Sequence, residues 1–296
     1  MKILITGCNG QVGSSLLNLL NNNLDVEVCA LDRSELDITQ QIVVNCYVAS
    51  FKPDVIINAA AHTAVDKAEQ EIELSYAINR DGPKYLAEAA NKVGAIMLHI
   101  STDYVFDGTK NSSYVETDLV NPQSIYGITK LAGEEAVAKA CPRHIILRTA
   151  WVFGEDGNNF VKTMLRLAQQ RDSLGIVDDQ FGGPTYAGDI ATALIQIAQT
   201  ITDLNKSFDT ANYGIYHFSG LPHVSWYEFA KVIFDKATEQ GILVKSPEIK
   251  GIKTEEYPTP AKRPENSKLD TKKITTVFDI SASDWKIALN HLNDYV

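Results

Sequence analysis

The sequence predicts an α/β fold: a doubly wound parallel sheet with helices on both faces and a smaller C-terminal lobe. Three observations predict it. Short apolar runs alternate with amphipathic, helix-spaced stretches from Lys2 to Thr149, the pattern of a parallel sheet whose crossovers are helices. A glycine-rich turn follows the first apolar run directly. Beyond about Trp151 the alternation loosens. The expected division is a core over residues 1–150. Residues 151–296 then complete the sheet and build the small lobe, interleaved with the core.

Taken in order, Lys2–Thr6 (KILIT) is an apolar run ending in glycines and reads as a buried strand. Gln11–Leu20 has apolar residues at helical spacing, and Val26–Leu31 reads as the second strand. Ile42–Phe51 is helix-like, and Asp54–Asn58 (DVIIN) is a third strand. Leu74–Lys92 is a long amphipathic stretch and predicts one continuous helix. Ala95–Ile100 is a fourth strand, Ser124–Ala140 a helix and His144–Thr149 a fifth strand. Later pieces are strands near Leu174–Val177 and Gly214–Phe218, and helices near Ala187–Ala198, Ser225–Thr238 and Ser283–Leu292. Lys253–Lys268, rich in Pro, Lys and Glu, reads as a loop.

Composition narrows the function classes. A chain of 296 residues, 45% hydrophobic and 22% charged, has an ordinary soluble globular composition. Its length buries a full core without staples or metals. The formal net charge of -10 disfavours nucleic acid as a partner. An anionic small molecule remains open, because a local cluster of Arg and Lys outweighs the global sign. Cys8, Cys29, Cys46 and Cys141 form no CxxC pair, so free thiols in a cytoplasmic protein are expected. The chain reaches a glycine turn by Gly7, too early for a signal peptide, and no apolar run approaches the ~20 residues of a membrane helix. The N-x-S/T matches at Asn111 and Asn205 carry no weight without secretion. The six histidines lack ligand spacing, so no metal site is expected.

Gly7-Cys-Asn-Gly10-Gln-Val-Gly13 closes the first strand and opens the first helix. Glycines there let the backbone turn tightly and approach a pyrophosphate, while the helix N-terminus offers free N–H groups and partial positive charge. The context of strand, turn and helix points to a bound dinucleotide, NADH or NADPH, in a Rossmann-type core. The spacing GxxGxxG resembles the short-chain dehydrogenase/reductase superfamily. Asp32 ends the second strand, where an acid bonds the adenosine ribose hydroxyls and argues for NAD. Arg33 follows and suits a 2′-phosphate, which leaves NADP open. Asp37 and Ile38 lie where this superfamily contacts adenine; for Asp37, capping ahead of Thr39 competes with that role.

Tyr126-Gly-Ile-Thr-Lys130 is a YxxxK motif. On a helix, i and i+4 share a face, so the ammonium is expected beside the phenol, lowering its pKa and easing proton transfer to a ketone oxygen. The motif is short, and Tyr227 with Lys231 repeats it. Position decides between them. Ser101-Thr102-Asp103 follows the fourth strand at the carboxyl edge of the sheet, where open α/β sheets bind ligands, and Tyr126 heads the next helix. Tyr227 lies in the small lobe and is expected to pack or to line substrate. Thr102 is expected to hydrogen-bond the substrate carbonyl, with capping of the turn after the strand as its alternative. Asp103 and Tyr104 would line the substrate.

Longer motifs are more selective. STDYVFDG (Ser101–Gly108), NAAAHTAVDKAE (Asn58–Glu69), RTAWVFG (Arg148–Gly154), GGPTYAGDIA (Gly182–Ala191) and AKRPENSKLD (Ala261–Asp270) occur in this order. Together they resemble the dTDP-4-dehydrorhamnose reductase family. The resemblance implies an extended short-chain dehydrogenase with a Rossmann domain and a C-terminal substrate-binding lobe. It also implies reduction of the C4 ketone of dTDP-6-deoxy-L-lyxo-4-hexulose to dTDP-L-rhamnose for cell-surface polysaccharide. Carried over by motif, Thr102, Tyr126 and Lys130 match the catalytic set. Gly7, Gly10, Gln11, Val12, Asp32, Ala59, Ala60, Ala61 and Lys130 match the cofactor motifs. Tyr104, Trp151, Asn159 and Arg263 match motifs facing the sugar nucleotide. For Trp151 core packing competes, and Arg148 is divided between a buried partner and a substrate contact. Some family members are magnesium-bridged dimers held by glutamates; Gly188 stands where such an acid occurs, so a monomer or weak homodimer is expected.

Rival readings keep the fold. Another nucleotide-deoxysugar 4-ketoreductase differs only in its sugar. An epimerase or dehydratase needs its cofactor to give back its hydride, and a dehydratase usually adds an acidic pair, whereas Asp103 has no adjacent glutamate. A non-catalytic regulatory subunit of methionine adenosyltransferase resembles the same family; the presence of Thr102, Tyr126 and Lys130 argues against it.

Overall fold

A computed structural model describes residues 1–21, 23–203 and 208–296; Asn205 lies outside them. Strands β1 (Lys2–Thr6), β2 (Glu27–Leu31), β3 (Val55–Asn58), β4 (Ile96–Thr102) and β5 (His144–Thr149) form where the apolar runs stand. Their crossovers are α1 (Gln11–Leu20), α2 (Gln41–Phe51), α3 (Val65–Ala68), α4 (Ile72–Tyr76), α5 (Gly82–Val93) and α6 (Ile125–Ala140). Beyond them come α7 (Phe160–Ala168), β6 (Ser173–Val177), α8 (Ala187–Thr202), β7 (Gly214–His217), α9 (Trp226–Glu239), β8 (Glu248–Ile252), α10 (Lys272–Phe278) and α11 (Trp285–Ala288). The main sheet has six strands in the order β7-β5-β4-β3-β1-β2, all parallel.

Alternation along each strand builds two cores. Ile3 and Ile5 of β1 face α1, α8 and α10, meeting Leu16, Leu194 and Phe278. Leu4 points the other way, to Val44 and Val48 of α2 and Leu86 of α5. Each such fully buried side chain contributes about 1.5–3 kcal/mol. A third cluster holds the C-terminal segment together, with Phe153, Met164, Phe229, Ile233 and Trp285 at its centre. There β6 and β8 pair in parallel. The main sheet nevertheless takes its last strand, β7, from beyond residue 150. Strand order reverses between β1 and β3, which opens a crevice at their carboxyl ends. Gly7, Asp32, Ala59 and Asp103 each follow directly on a strand at that edge.

Two readings from the pattern need correction. The stretch Leu74–Lys92 is not one helix: Ala77–Asp81 is a π-helical turn between α4 and α5. Pro83 supplies the reason, since it lacks an N–H and its ring clashes with the carbonyl four residues back, that of Asn79. That freed carbonyl points at α6, where a Cβ on Gly133 would come within 2.0 Å of it. The expected last helix is also broken. It runs as α11 and then a 3₁₀ stretch, Leu289–Tyr295, kinked at His291. Helices α7 and α10 and strand β8 are additions to the elements read from the sequence, although α7 is amphipathic and buries Val161, Met164 and Leu165 on one face. All four cysteines are free. Among the described residues no helix is long and apolar enough to cross a membrane.

Candidate active site

The glycine turn packs β1 against β3. Gly7 has φ +74°, and a Cβ there would lie 2.6 Å from Ala60 N, so the position accepts only glycine without moving the strand end. Helix α1 starts at Gly10 with no side-chain cap, which leaves its first-turn N–H groups without an internal partner. The turn borders a cleft of about 800 Å³ lined by Gly7, Gly10, Asp32, Arg33, Asp37, Ile38 and Ala59 to Ala61. Two candidate cofactor residues are placed differently. Val12 turns its side chain into the core, and Gln11 accepts a hydrogen bond from Asn159 Nδ2 at 3.1 Å.

Asp32 is partly occupied by the turn it shapes. Its Oδ1 accepts from Ser34 N (2.7 Å), Ser34 Oγ (2.6 Å) and Glu35 N (3.2 Å), and its Oδ2 from Asn9 Nδ2 (3.0 Å). These bonds, those of Ser34 foremost, hold the carboxyl below its usual range. With three bonds on Oδ1 and one on Oδ2, the remaining acceptor position for a hydroxyl is on Oδ2. Asp37 combines both roles weighed for it. It accepts from Thr39 N at 3.0 Å and Thr39 Oγ1 at 2.7 Å while lining the cleft.

Thr102, Asp103, Tyr104 and Tyr126 converge at the end of β4. Thr102 Oγ1 caps the short turn Asp103–Val105 by accepting from Tyr104 N at 3.2 Å, and donates to Asp103 Oδ1 at 3.0 Å. The same hydroxyl acts on the Tyr126 phenol, drawing its pKa down. The Tyr104 and Tyr126 rings meet edge-on, centroids 5.3 Å apart. Burial, with Asp103 and Tyr104 alongside, pushes the Tyr126 phenol above its ordinary pKa, and Thr102 opposes. This reverses the expected direction. The Lys130 amine lies on Ile100 O at 2.7 Å and His99 Nε2 at 3.5 Å, so its nearest partners are on β4. The phenol of the ligand-free chain therefore remains protonated, the form that donates.

Burial also pushes the Asp103 carboxyl up to about 6, against the Ser267 and Thr102 hydroxyls. An acid whose folded pKa is raised binds its proton more tightly in the native state, so folding stability falls as pH rises from the unfolded value towards 6. Asp103→Asn is expected to stabilise the fold at pH 7.5 by about 2–3 kcal/mol. The gain should shrink as pH falls through 6 towards 4. Denaturant midpoints across that range check it, and a pH-independent difference would exclude Asp103 as the titrating group.

A second cleft, about 840 Å³, adjoins the first through His62 and Thr63 and is lined by Tyr104, Trp151, Asn159 and Arg263. Trp151 adopts φ 50°, uncommon for a residue with a side chain, and stacks on Trp226 with centroids 3.5 Å apart. Gly182 makes room for it, since a Cβ there would lie 2.5 Å from the Trp151 ring. Asn159 is committed to structure: its oxygen caps α7, and its nitrogen donates to Gln11 and Gly154. Arg263 donates through Nη2 to Asp66 Oδ2 at 2.9 Å, whereas its buried Nη1 has no partner.

The family model described as RmlD substrate binding domain matches residues 1–296. A dTDP-4-dehydrorhamnose reductase of Aggregatibacter actinomycetemcomitans is 54% identical over 294 residues, 99% of each chain. The chain belongs to the dTDP-4-dehydrorhamnose reductase family. A solved family structure from Clostridium acetobutylicum superposes with TM-score 0.90 at 44% identity, covering 99% of each chain. Another, from Bacillus anthracis in complex with NADP, gives 0.89 at 35% identity, covering 100% of this chain and 99% of that one.

Within this dTDP-4-dehydrorhamnose reductase family chain, several neighbours of the clefts escaped the sequence reading. Arg166 and Arg171 line the second cleft; they sit on or just after α7, whose helical spacing of Val161, Met164 and Leu165 is the signal that could have placed them. Asp66 was visible inside NAAAHTAVDKAE, yet nothing local announced its bond to Arg263 across 197 positions. Tyr227 packs against the C-terminal cluster with Lys231 exposed, away from Thr102. Arg148 is the buried partner of Glu134.

Proposed function

We propose that this chain is an NAD(P)H-dependent 4-ketoreductase of a dTDP-linked 6-deoxyhexulose, forming dTDP-L-rhamnose. The observation that carries the proposal is the convergence of a protonated Tyr126 and Thr102 at the sheet edge, where the dinucleotide cleft adjoins the second cleft. The features of the first cleft fit a dinucleotide. Free N–H groups at α1 suit a pyrophosphate, Asp32 suits ribose hydroxyls, and the short side chains of Ala59 to Ala61 admit a flat ligand. A bound reduced nicotinamide supplies a hydride for the carbonyl carbon. Tyr126 Oη gives its proton to the carbonyl oxygen, and the Thr102 hydroxyl orients that oxygen. Lys130, on the same helix face, would hold hydroxyls of the bound cofactor. Arg263, anchored by Asp66, offers its unpaired Nη1 to the sugar nucleotide. In this reading residues 1–150 bind cofactor, and residues 151–296 complete the sheet and form the substrate lobe.

The test mixes purified protein with NADPH or NADH and the 4-keto-sugar nucleotide, generated with a 3,5-epimerase, and follows reduced-nicotinamide absorbance. Substrate-dependent loss is the expected result. Cofactor binding without turnover would overturn the proposal. Arg33, exposed at the cleft rim beside Asp32, is the group suited to a 2′-phosphate. Arg33→Ala is expected to raise KM for NADPH roughly tenfold and to leave that for NADH nearly unchanged. Equal effects on both would remove Arg33 from cofactor selection.

A further inference from the structure

A chain of buried polar groups runs from β1 through β3 and β4 to α6, and the mechanism above uses only its last member. Thr6 Oγ1 donates to Asn58 Oδ1 at 2.8 Å, and Ala60 N donates to the same oxygen at 3.1 Å. A backbone N–H only donates, so the Asn58 oxygen is fixed on that side and its nitrogen faces His99. Asn58 Nδ2 lies 3.0 Å from His99 Nδ1. A neutral imidazole has one acceptor nitrogen and one N–H. With Nδ1 accepting, the proton is on Nε2, and Nε2 stands 3.5 Å from Lys130 Nζ. Thr6, Asn58, His99 and Lys130 are each at most 2% exposed, so water does not intervene freely.

We infer that His99 is a positioning residue for Lys130: the Asn58 amide fixes an Nε2–H that faces the lysine nitrogen and disfavours its charged form. The inference rests on the reductase reading only for its consequence in turnover. A donor facing an ammonium disfavours the charged form, whereas a neutral amine offers a lone pair that Nε2–H can meet. Burial acts in the same direction and pushes the amine down to about 8, against Glu134 one turn further along α6. His99 does not escape by taking a second proton. Burial first, then Lys130 and His144, hold it well below the usual histidine range. His144, on β5, is itself bonded through Nδ1 to Cys141 O at 2.7 Å. Glu134, His99 and, beyond it, His144 are thus the titratable groups facing the amine, with Tyr126 on the same helix. A reaction that depends on the Lys130 charge then weakens above a pH of about 8 rather than near the ordinary lysine value of about 10.4.

Two readouts need no substrate. In protein labelled with ¹⁵N-histidine, His99 should show a single neutral tautomer, protonated at Nε2, from about pH 5 to 9. In competitive trace acylation read by mass spectrometry, Lys130 should titrate with a midpoint near 8. His99→Leu, which removes the N–H facing the amine without adding charge, should raise that midpoint by roughly one unit or more. The alkaline limb of kcat/KM should move up by the same interval. An Nδ1-protonated ring, a titrating His99, or a Lys130 midpoint unmoved in His99→Leu overturns the inference. If that variant does not fold, the wild-type tautomer and midpoint decide. If the wild type does not oxidise NADPH with substrate, the reductase reading fails while these measurements still judge His99.

Discussion

Tyr126→Phe is expected to lower kcat and kcat/KM together by roughly 10²–10⁴-fold, the range for loss of a positioned acid. The substitution removes one hydroxyl and keeps the ring that meets Tyr104 edge-on at 5.3 Å, so the site should hold its shape. Cofactor affinity, followed by nicotinamide fluorescence, should barely change, because Tyr126 borders the second cleft through Tyr104 and the dinucleotide cleft is built by other residues. The direction of the phenol's pKa strengthens the case: a group held above its ordinary value by burial is protonated throughout the neutral range and acts as a donor. Tyr227→Phe is the control, and it should leave turnover near wild type. An active Tyr126→Phe enzyme, or equal losses in both variants, would return the choice of acid to the second YxxxK motif.

The Rossmann core was legible because its signals are local. Short continuous apolar runs, alternating with apolar residues at helical spacing, marked β1, α1 and β5 to the residue, and the glycine turn placed the cleft beside them. The site's long-range bonds were not legible in this way. Asp66 with Arg263 and Asn159 with Gln11 join residues far apart in sequence, and no period records such a pairing. The π turn before α5 is an intermediate case. Pro83 was in plain view, but the amphipathic pattern of the surrounding stretch outweighed it, since apolar spacing reports which face is buried and not which backbone bonds survive. The phenol's pKa was misjudged for a related reason. Spacing of four on a helix brings two side chains to one face, yet the rotamer decides what the lysine tip touches, and here the Ile100 carbonyl holds it.

The same helix face supplies the largest expected effect on stability. Lys130 is followed one turn later by Glu134, which grips Arg148 of β5 through Nε at 2.9 Å and Nη2 at 2.6 Å. Both side chains are 2% exposed, and the guanidinium also lies over the Phe106 ring at 5.1 Å. Glu134→Ala would leave a buried, unpaired guanidinium whose Nη1 already has no partner, at a cost of about 3–5 kcal/mol. Urea unfolding should show this as a lower midpoint at unchanged m. Replacing both partners, Glu134→Leu with Arg148→Met, should recover most of the loss, because an apolar pair of similar volume avoids the desolvation of two charges. Turnover separates stability from positioning. The ion pair aligns α6, and with it Tyr126, against the end of β5, so the double variant should fold well yet turn over more slowly, since a displacement of about 1 Å in a reacting group costs up to roughly 10²-fold. A Glu134→Ala protein within about 1 kcal/mol of wild type would mean that water reaches the pair in solution, and that α6 is held by its apolar contacts alone.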